Sequence, residues 1–358
     1  MKQFNLKNLL IAAAILPVLA SCHKDKVDPD PVTPEAERAG IYILNQGNFN
    51  ANNSTLSYYD YTAKSFTADK FKAANSRGLG DTGNDVKIYG SKMYIIVNVS
   101  STIEVVDAKT VKSIKQIKME NGGAKREPRY ITFNGSKAYI STYDGNVAVL
   151  DTASLTVDTY IKVGRNPEQL AVTNGKLYVA NSGGLDFNNF DHTVSVVDLT
   201  TQKEIKKIDV IANPISLSAD AVGNVYVLSA GDYGTILPGL TVINAKTDVV
   251  NKNSPLAGAY GTSIIASGEN VYFLTAENKV VVYNVQSQVV VQENFIADGT
   301  VITTPYNLSV DTQTGEVFVC DAKDYSSNGA IFAFDKNGNK EYSITVGINP
   351  SQIVFINK

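Results

Sequence analysis

The sequence predicts an all-β fold, a seven-bladed β-propeller closed by its C-terminal strand. Three observations carry this prediction: a unit that recurs seven times, short strands of alternating polarity within each unit, and a C-terminal segment that repeats the opening of other units. The units follow one another at roughly 40 to 50 residues, which is the length of a four-stranded propeller blade.

Each unit contains an apolar strand, a Gly-containing turn, a strand centred on an aromatic residue, a loop, and a Val-rich strand that ends in Asp or Asn. The aromatic marker recurs as Tyr42, Tyr94, Tyr139, Tyr178, Tyr226, Tyr272 and Phe318. The Asp/Asn marker recurs as Asp60, Asp107, Asp151, Asp198, Asn244, Asn284 and Asp335. Period-two alternation, as in Thr193 to Asp198, indicates half-buried strands. Because no helical period runs through this region, we expect strands throughout.

The two ends of the repeat region predict how the ring closes. The first unit starts at Ile41 without an innermost strand before it. The last unit is followed by Asn349-Pro350-Ser351-Gln352, which matches Asn166-Pro167-Glu168-Gln169 at the opening of the fourth unit. Since a closed ring leaves no unpaired sheet edge, we expect the C-terminal strand to complete the first blade.

The N-terminal region predicts export and lipidation. Residues 1–21 read as a signal peptide, because Lys2 and Lys7 accompany an apolar run that is too short to span a membrane. Leu19-Ala20-Ser21-Cys22 resembles a bacterial lipobox, so Cys22 is the predicted lipidation site, with an ordinary secretory signal as the alternative. Residues 22–39, rich in charged residues and Pro, predict a disordered tether. The propeller is expected over residues 40–358.

Composition argues against several classes of function. A formal net charge of −3 provides no basic surface for nucleic acid, so no nucleic-acid partner is expected. With Cys22 carrying lipid, Cys320 has no partner for an intramolecular disulfide. His23 and His192 are the only histidines, which leaves a catalytic triad or a His-rich metal site poorly supplied. We therefore expect no enzyme activity, catalytic residue, metal or cofactor.

Loop lengths predict which end of the propeller functions. In a blade of antiparallel strands a to d, the b–c and d–a connections share one face, and the sequence puts its long connections in that set. Functional residues concentrate on long loops. The candidate ligand-binding residues are those of suitable type on this face: Asn48, Phe49, Asn98, Arg129, Tyr143, Arg165, Asn181, Phe187 and Tyr233. The alternatives are that the Asn residues only form turns, that the Phe residues fold back onto their own blades, and that each Arg is a surface residue or a structural partner for an Asp.

Several of these segments resemble a known repeat. Gly164-Arg165-Asn166-Pro167 and Gly347-Ile348-Asn349-Pro350 stand where the YncE-like (YVTN) propeller repeat has its Gly-x-x-Pro turn. Leu177-Tyr178-Val179-Ala180-Asn181 is similar to its Tyr-Val-Ala-Asn strand. The resemblance covers residues 40–358 and is specific for the fold but weak for function.

A narrower resemblance implies a ligand. The lipobox, together with the stretches Asn45 to Phe49 and Asn52 to Asp60, looks like Bacteroidetes surface propellers, among them the BtuG-type lipoproteins that bind vitamin B12 and related corrinoids. The resemblance implies a lipid-anchored, surface-exposed outer-membrane protein that captures a corrinoid as a ligand and passes it to a TonB-dependent transporter. It would touch the membrane only through its anchor, and a periplasmic orientation is the alternative. The competing functions are a surface scaffold or adhesion propeller that binds protein or glycan, and an enzyme.

Overall fold

A computed structural model of the protein describes residues 37–256 and 259–358, apart from the side chains of residues 259–262. The predicted signal peptide, Cys22 and the tether up to residue 36 lie outside the described residues. Within the described part, no helix is long and apolar enough to cross a bilayer.

Seven four-stranded antiparallel sheets form the blades. Blade 1 consists of β1 (Arg38–Asn45), β2 (Thr55–Asp60), β3 (Ser65–Thr67) and the C-terminal β30 (Pro350–Asn357). Blade 2 consists of β4 (Gly83–Tyr89), β5 (Lys92–Val97), β6 (Thr102–Asp107) and β7 (Ser113–Lys118). A small hairpin, β8 (Glu120–Asn121) and β9 (Ala124–Lys125), follows it.

The next three blades repeat the pattern. Blade 3 consists of β10 (Pro128–Asn134), β11 (Lys137–Thr142), β12 (Asn146–Asp151) and β13 (Thr156–Lys162). Blade 4 consists of β14 (Pro167–Thr173), β15 (Lys176–Asn181), β16 (Thr193–Asp198) and β17 (Lys203–Asp209). Blade 5 consists of β18 (Pro214–Ala219), β19 (Asn224–Ser229), β20 (Gly239–Asn244) and β21 (Val249–Pro255).

Two blades complete the ring. Blade 6 consists of β22 (Ala259–Ser267), β23 (Asn270–Thr275), β24 (Val280–Asn284) and β25 (Val289–Gln292). Blade 7 consists of β26 (Pro305–Val310), β27 (Val317–Asp321), β28 (Asn328–Phe334) and β29 (Lys340–Ile348). The predicted all-β, seven-bladed propeller is confirmed.

The ring closes in blade 1 as predicted. β30 pairs antiparallel with β1, with Ile41 opposite Phe355 and Ile43 opposite Ile353. Arg38, two residues before the predicted start of the propeller, ties the closing blade to blade 7. Its Nε donates to the fully buried Asp311 at 2.8 Å, and its guanidinium lies 5.3 Å from the centroid of the Phe355 ring.

The two sequence markers are parts of the framework. Tyr42 and Tyr178 are buried between blades, and their hydroxyls donate to carbonyls in the c–d turn of the next blade, Ala108 at 3.0 Å and Ala245 at 3.1 Å. The Asp marker caps its own c–d turn, as where the Asp107 carboxylate accepts the Thr110 N–H at 2.8 Å. The aromatic residue therefore joins neighbouring blades, and the Asp shapes the turn whose carbonyl accepts the hydrogen bond from the neighbouring blade.

One helix departs from the prediction of strands throughout. α1 (Lys70–Asn75) follows the short outer strand β3, and the Asp69 side chain caps it by accepting the Lys72 N–H. Phe71 is fully buried in the core shared by blades 1 and 2. The helix is too short for its period to appear in the sequence, and this packing, rather than helix propensity, accounts for it.

The innermost strands β30, β4, β10, β14, β18, β22 and β26 surround a central channel that contains a cavity of about 540 Å³. Polar side chains on this wall join the blades. Asp85 and Gln169 each accept a backbone N–H of the following blade at 3.0 Å, from Ile131 and Leu217. Burial raises the pKa of Asp85, because few charges compensate for its lost hydration.

Candidate functional site

Most of the long connections lie at one end of the propeller, as predicted. We call this end the loop rim; its b–c loops include residues 46–54, 182–192, 230–238 and 322–327, and its d–a connections include 119–127 and the end of 293–304, residues 301–304. Earlier in that connection, Ala297 and Asp298 bond to Gly338 and Lys340 at the c–d turn of blade 7. The other end, the short-turn face, carries the a–b and c–d turns. The d–a connection 68–82 is an exception to the predicted rim, because its helix packs between blades and Arg77 pairs with Glu104 on the side of blade 2.

Exposed apolar side chains are concentrated on the loop rim. Eight of the large exposed hydrophobic residues of the described chain lie there: Phe49, Leu185, Phe187, Tyr233, Ile236, Leu237, Val301 and Tyr325. The short-turn face has two, Tyr89 and Val222. The Tyr89 ring is stacked on Phe133 at 4.4 Å. The remainder lie on the outer strands. The two ends therefore differ in the apolar surface they offer to a ligand.

The largest group spans blades 4 and 5. Phe190 contacts both Phe187 and Tyr233 edge to face, with ring centroids 5.9 and 5.7 Å apart. Phe187 is 74% exposed and Tyr233 61% exposed. We call these three residues the aromatic cluster. The phenylalanines contact each other and the neighbouring loop, with Phe187 open to solvent, so the alternative that they fold back onto their own blade does not describe them.

Arg165 orders the loop that carries the cluster. Its Nη2 donates to the Asn189 carbonyl at 2.5 Å, and its guanidinium reaches Asp186 at 3.4 Å and Asp191 at 4.0 Å. Gly183 has a positive φ of 61°, and a Cβ there would lie 2.4 Å from the Asp191 nitrogen. These contacts hold the loop in one shape even though much of its surface is exposed.

Blades 1 and 7 supply the other aromatic side of the rim. Phe49 is 72% exposed at the tip of its loop. The Asn48 side-chain amide donates to the Tyr325 carbonyl at 2.8 Å, which ties the two loops together. Tyr306 donates its hydroxyl to Gln46 Oε1 at 2.6 Å and contacts the Tyr325 ring edge to face. Sequence reasoning did not select Tyr306 or Tyr325 as site residues.

The inner edge of the rim, around the channel mouth, is a network of half-buried and buried polar groups. Arg129 Nε donates to Glu168 Oε2 at 2.9 Å, and its Nη1 donates to Asn84 Oδ1. The Tyr143 hydroxyl donates to the other oxygen of Glu168, and the Arg129 guanidinium lies 4.6 Å from the Tyr143 ring centroid. Burial raises the pKa of Tyr143 well above its usual value, and Glu168 raises it further. Tyr143 therefore remains a neutral donor.

Two predicted site residues lie inside the framework. Asn181 is fully buried; its amide nitrogen donates to Thr193 at 3.0 Å and Ser195 at 2.9 Å, and its Oδ1 accepts the Gly164 N–H at 3.1 Å. Asn98 is also buried, and its amide donates to the Pro128 carbonyl at 3.2 Å. Both amides already have protein partners.

Asn45 and Gly347 repeat this arrangement in blade 1. Asn45 donates to Thr55 and Ser57 and accepts the Gly347 N–H at 3.1 Å. A Cβ at Gly164 would lie 2.3 Å from the Asn181 amide carbon, and one at Gly347 would lie 2.7 Å from that of Asn45. The Gly of the turn and the Asn that ends the strand are therefore a matched pair, which explains why the repeat contains both.

Groups with potential for chemistry are few in the described chain. Its one histidine, His192, is exposed, 3.8 Å from Asp209. Burial raises the pKa of the Cys320 thiol, which is fully enclosed. Across residues 37–256 and 259–358, no three His, Cys, Asp or Glu side chains are grouped to hold a metal ion. The predictions about catalysis, metals and cofactors remain predictions.

The sequence and the fold have relatives. Residues 39–355 match the family described as "Domain of unknown function (DUF5074)". A quinoprotein alcohol dehydrogenase-like protein from Bacteroides thetaiotaomicron superposes with a TM-score of 0.67 at 19% identity, covering 90% of this chain and 79% of that one. Kuenenia stuttgartiensis hydrazine synthase superposes with a TM-score of 0.62 at 14% identity, covering 75% of this chain and 93% of that one. The comparison with curated proteins gives no match. Identities this low establish the shared fold alone.

Proposed function

The chain belongs to the family described as a domain of unknown function (DUF5074), a match that spans the propeller, and we propose its function from the site itself. The loop rim is a non-catalytic surface that captures a bulky, uncharged ligand, most specifically a corrinoid. The observation that carries the proposal is the contrast between the two ends. Eight large exposed hydrophobic residues occupy the rim, where long loops are fixed by their own hydrogen bonds.

Exposed apolar side chains on fixed loops favour binding. Contiguous exposed apolar surface marks interaction sites in soluble proteins. Aromatic side chains supply contact area with little loss of rotamer entropy. Because Arg165 and Asn48 already hold their loops, ligand binding would not have to order them, which lowers the entropic cost of association.

The charge of the rim favours an uncharged ligand. Its arginines are paired, Arg129 with Glu168, Arg126 with Asp144, and Arg165 with Asp186. Among the described residues, each rim arginine is thus offset by a carboxylate, and amide side chains provide neutral donors and acceptors. A corrinoid, a large macrocycle bordered by amides, matches these features, and the sequence resemblance to BtuG-type lipoproteins supports the same class.

The cellular setting follows from the sequence. We propose that Cys22 is lipidated, that the protein is anchored in the outer membrane and exposed at the cell surface, and that a TonB-dependent transporter receives its ligand. Metabolic labelling with palmitate is expected to label the protein and to fail in Cys22→Ser. Digestion of intact cells by added protease is expected to remove the propeller, and protection until the cells are lysed would favour a periplasmic orientation. The transporter is expected to co-purify after crosslinking.

Binding without catalysis is supported by the state of the inner rim. Glu168, the carboxylate best placed to act as a base at the channel mouth, is engaged by Arg129 and Tyr143. A general base must be able to reach the proton it removes. We therefore propose that this network shapes the floor of a binding surface.

Calorimetric titration of the purified protein with cyanocobalamin tests the corrinoid proposal. Saturable binding that weakens in Phe187→Ala, and is unchanged in the matched short-turn-face variant Val222→Ala, would support it. The absence of both heat and spectral change at micromolar concentrations would overturn it. Capture of a specific protein or glycan through the rim would instead identify a scaffold or adhesion propeller.

A further inference from the structure

Beside the broad surface of the rim lies a small, partly open pocket between blades 6 and 7. It has a volume of about 190 Å³ and is lined by Leu274, Thr275, Ala276, Asn278, Thr304, Pro305 and Tyr325. All seven lie at the rim end of their blades. The volume of the pocket is about a third of that of the central cavity, so the pocket suits one ring system and not a whole macrocycle.

The polar side chains of the pocket are already engaged. The Thr304 hydroxyl donates to the Lys323 carbonyl, the Thr275 hydroxyl accepts the Lys279 N–H at 3.4 Å, and the Asn278 amide donates to the Thr303 carbonyl at 3.1 Å. No lining residue is charged. A sugar ring, with hydroxyls around its whole edge, would lose its hydration here with few partners in return. A planar ring with few polar groups has no such cost.

One wall of the pocket is an aromatic ring held in place. The Tyr325 N–H donates to the Ala322 carbonyl at 2.9 Å, and its own carbonyl accepts the side-chain amides of Asn48 and Asn349 from blade 1. Tyr306 contacts the ring edge to face, with centroids 6.0 Å apart. Leu274 and Pro305 provide the apolar remainder. A flat heterocycle would find an aromatic surface to stack against and aliphatic groups beside it.

We infer that this pocket is a subsite for an uncharged planar heterocycle carried by the rim's ligand, with Tyr325 as the stacking residue. The inference rests on the proposed function of the rim and makes it more specific. For a corrinoid, the matching group is the benzimidazole base at the end of the nucleotide side arm. The subsite would then distinguish corrinoids that carry this base from those that lack it.

Two binding experiments on the purified full-length protein test the subsite separately from the corrinoid proposal. In the first, saturation-transfer difference NMR with free 5,6-dimethylbenzimidazole is expected to give signals with the unmodified protein and with the control variant Val222→Ala. The signals are expected to be retained in Tyr325→Phe and lost in Tyr325→Ala. Retained folding of each variant is checked by its thermal unfolding midpoint. Signals that are absent with the unmodified protein, or that persist in Tyr325→Ala, would overturn the subsite.

In the second experiment, calorimetry compares cyanocobalamin with dicyanocobinamide, which lacks the base. Loss of one base–aromatic stack corresponds to about a 5- to 150-fold weaker affinity, so cyanocobalamin is expected to bind that much more tightly, and Tyr325→Ala is expected to remove the difference. Equal affinity of the unmodified protein for both corrinoids would overturn the subsite and leave corrinoid capture intact. Binding of the free base without binding of either corrinoid would overturn corrinoid capture and support the subsite.

Discussion

The inner and outer edges of the loop rim use similar residue types in different ways. At the inner edge, Arg129, Glu168 and Tyr143 satisfy one another around the channel mouth. At the outer edge, Phe49, Phe187 and Tyr233 lie mostly in solvent on loops that other residues fix. The comparison teaches that residue type and position on a face do not by themselves identify a contact residue. What a side chain already binds determines whether it is available to a ligand.

The largest expected effect is at the inner edge. Arg129→Ala would leave Glu168 buried without its charge partner, and we expect a loss of roughly 3–5 kcal/mol in the free energy of unfolding, measured in urea. The double variant Arg129→Met, Glu168→Gln is expected to recover most of this loss, because no buried charge then lacks a partner. A loss below about 1 kcal/mol in the single variant would mean that the network does not hold the inner edge together.

Substitutions at the outer edge should change the affinity for the ligand and leave the stability of the protein unchanged. Removing the aromatic cluster with Phe187→Ala and Tyr233→Ala is expected to weaken cyanocobalamin binding by about 2 kcal/mol or more, roughly 30-fold, by calorimetry. Because both side chains are largely exposed, the unfolding free energy is expected to stay within about 0.5 kcal/mol of the original. Unchanged affinity would exclude the cluster from the site, and a large loss of stability would assign it to the framework.

The matched Gly and Asn of blade 4 test whether Asn181 belongs to the framework. Gly164→Ala would force a Cβ against the Asn181 amide, and we expect a destabilisation of about 1–3 kcal/mol in chemical unfolding. In an Asn181→Ala background the same substitution should cost markedly less, since the clashing atoms are gone. Strictly additive effects would show that the two residues do not constrain each other.

The smallest effect on ligand binding is expected far from the rim. At the short-turn end of blade 7, burial, together with the nearby charges of Glu341 and Asp311, raises the pKa of Glu316 to about 7. The unfolded chain therefore loses this proton at lower pH than the folded one. The contribution of Glu316 to the free energy of unfolding is complete below the pKa that this residue has in the unfolded chain, and it declines as pH rises towards 7. The thermal midpoint should fall over that window and fall less in Glu316→Gln, with corrinoid affinity unaffected. If the thermal midpoint depends on pH equally in the unmodified protein and in Glu316→Gln, Glu316 is not the cause.

The fold was predictable because its signals are local and repeated. The Tyr and Asp markers recur at a regular interval, and each is explained by a contact that the repeat creates between blades, as at Tyr42 and Tyr178. Closure by the C-terminal strand followed from one repeated segment. The short helix that begins at Lys70 escaped prediction because the packing of its own Phe71 into the core of blades 1 and 2 outweighs a weak local pattern.

The site was less predictable because partners come from different blades. Glu168 and Arg129 are adjacent only after the ring forms, so the sequence could not indicate that they neutralise each other. Asn181 was a candidate because it precedes a long loop, but its amide turns into the blade. Tyr306 lies in β26 and Tyr325 in the b–c loop of the same blade, but their hydrogen-bond partners Gln46 and Asn48 come from blade 1. Conversely, the exposure of Phe187 could not be read from its residue type, which usually favours burial.

Hydrogen–deuterium exchange of the protein with and without cyanocobalamin tests the central claim most directly, because it locates the ligand by backbone protection. The account predicts protection in residues 182–192, 230–238 and 322–327, and unchanged exchange in the c–d turns at 199–202 and 245–248. Protection confined to those turns, or to the outer strands, would contradict a binding surface on the loop rim.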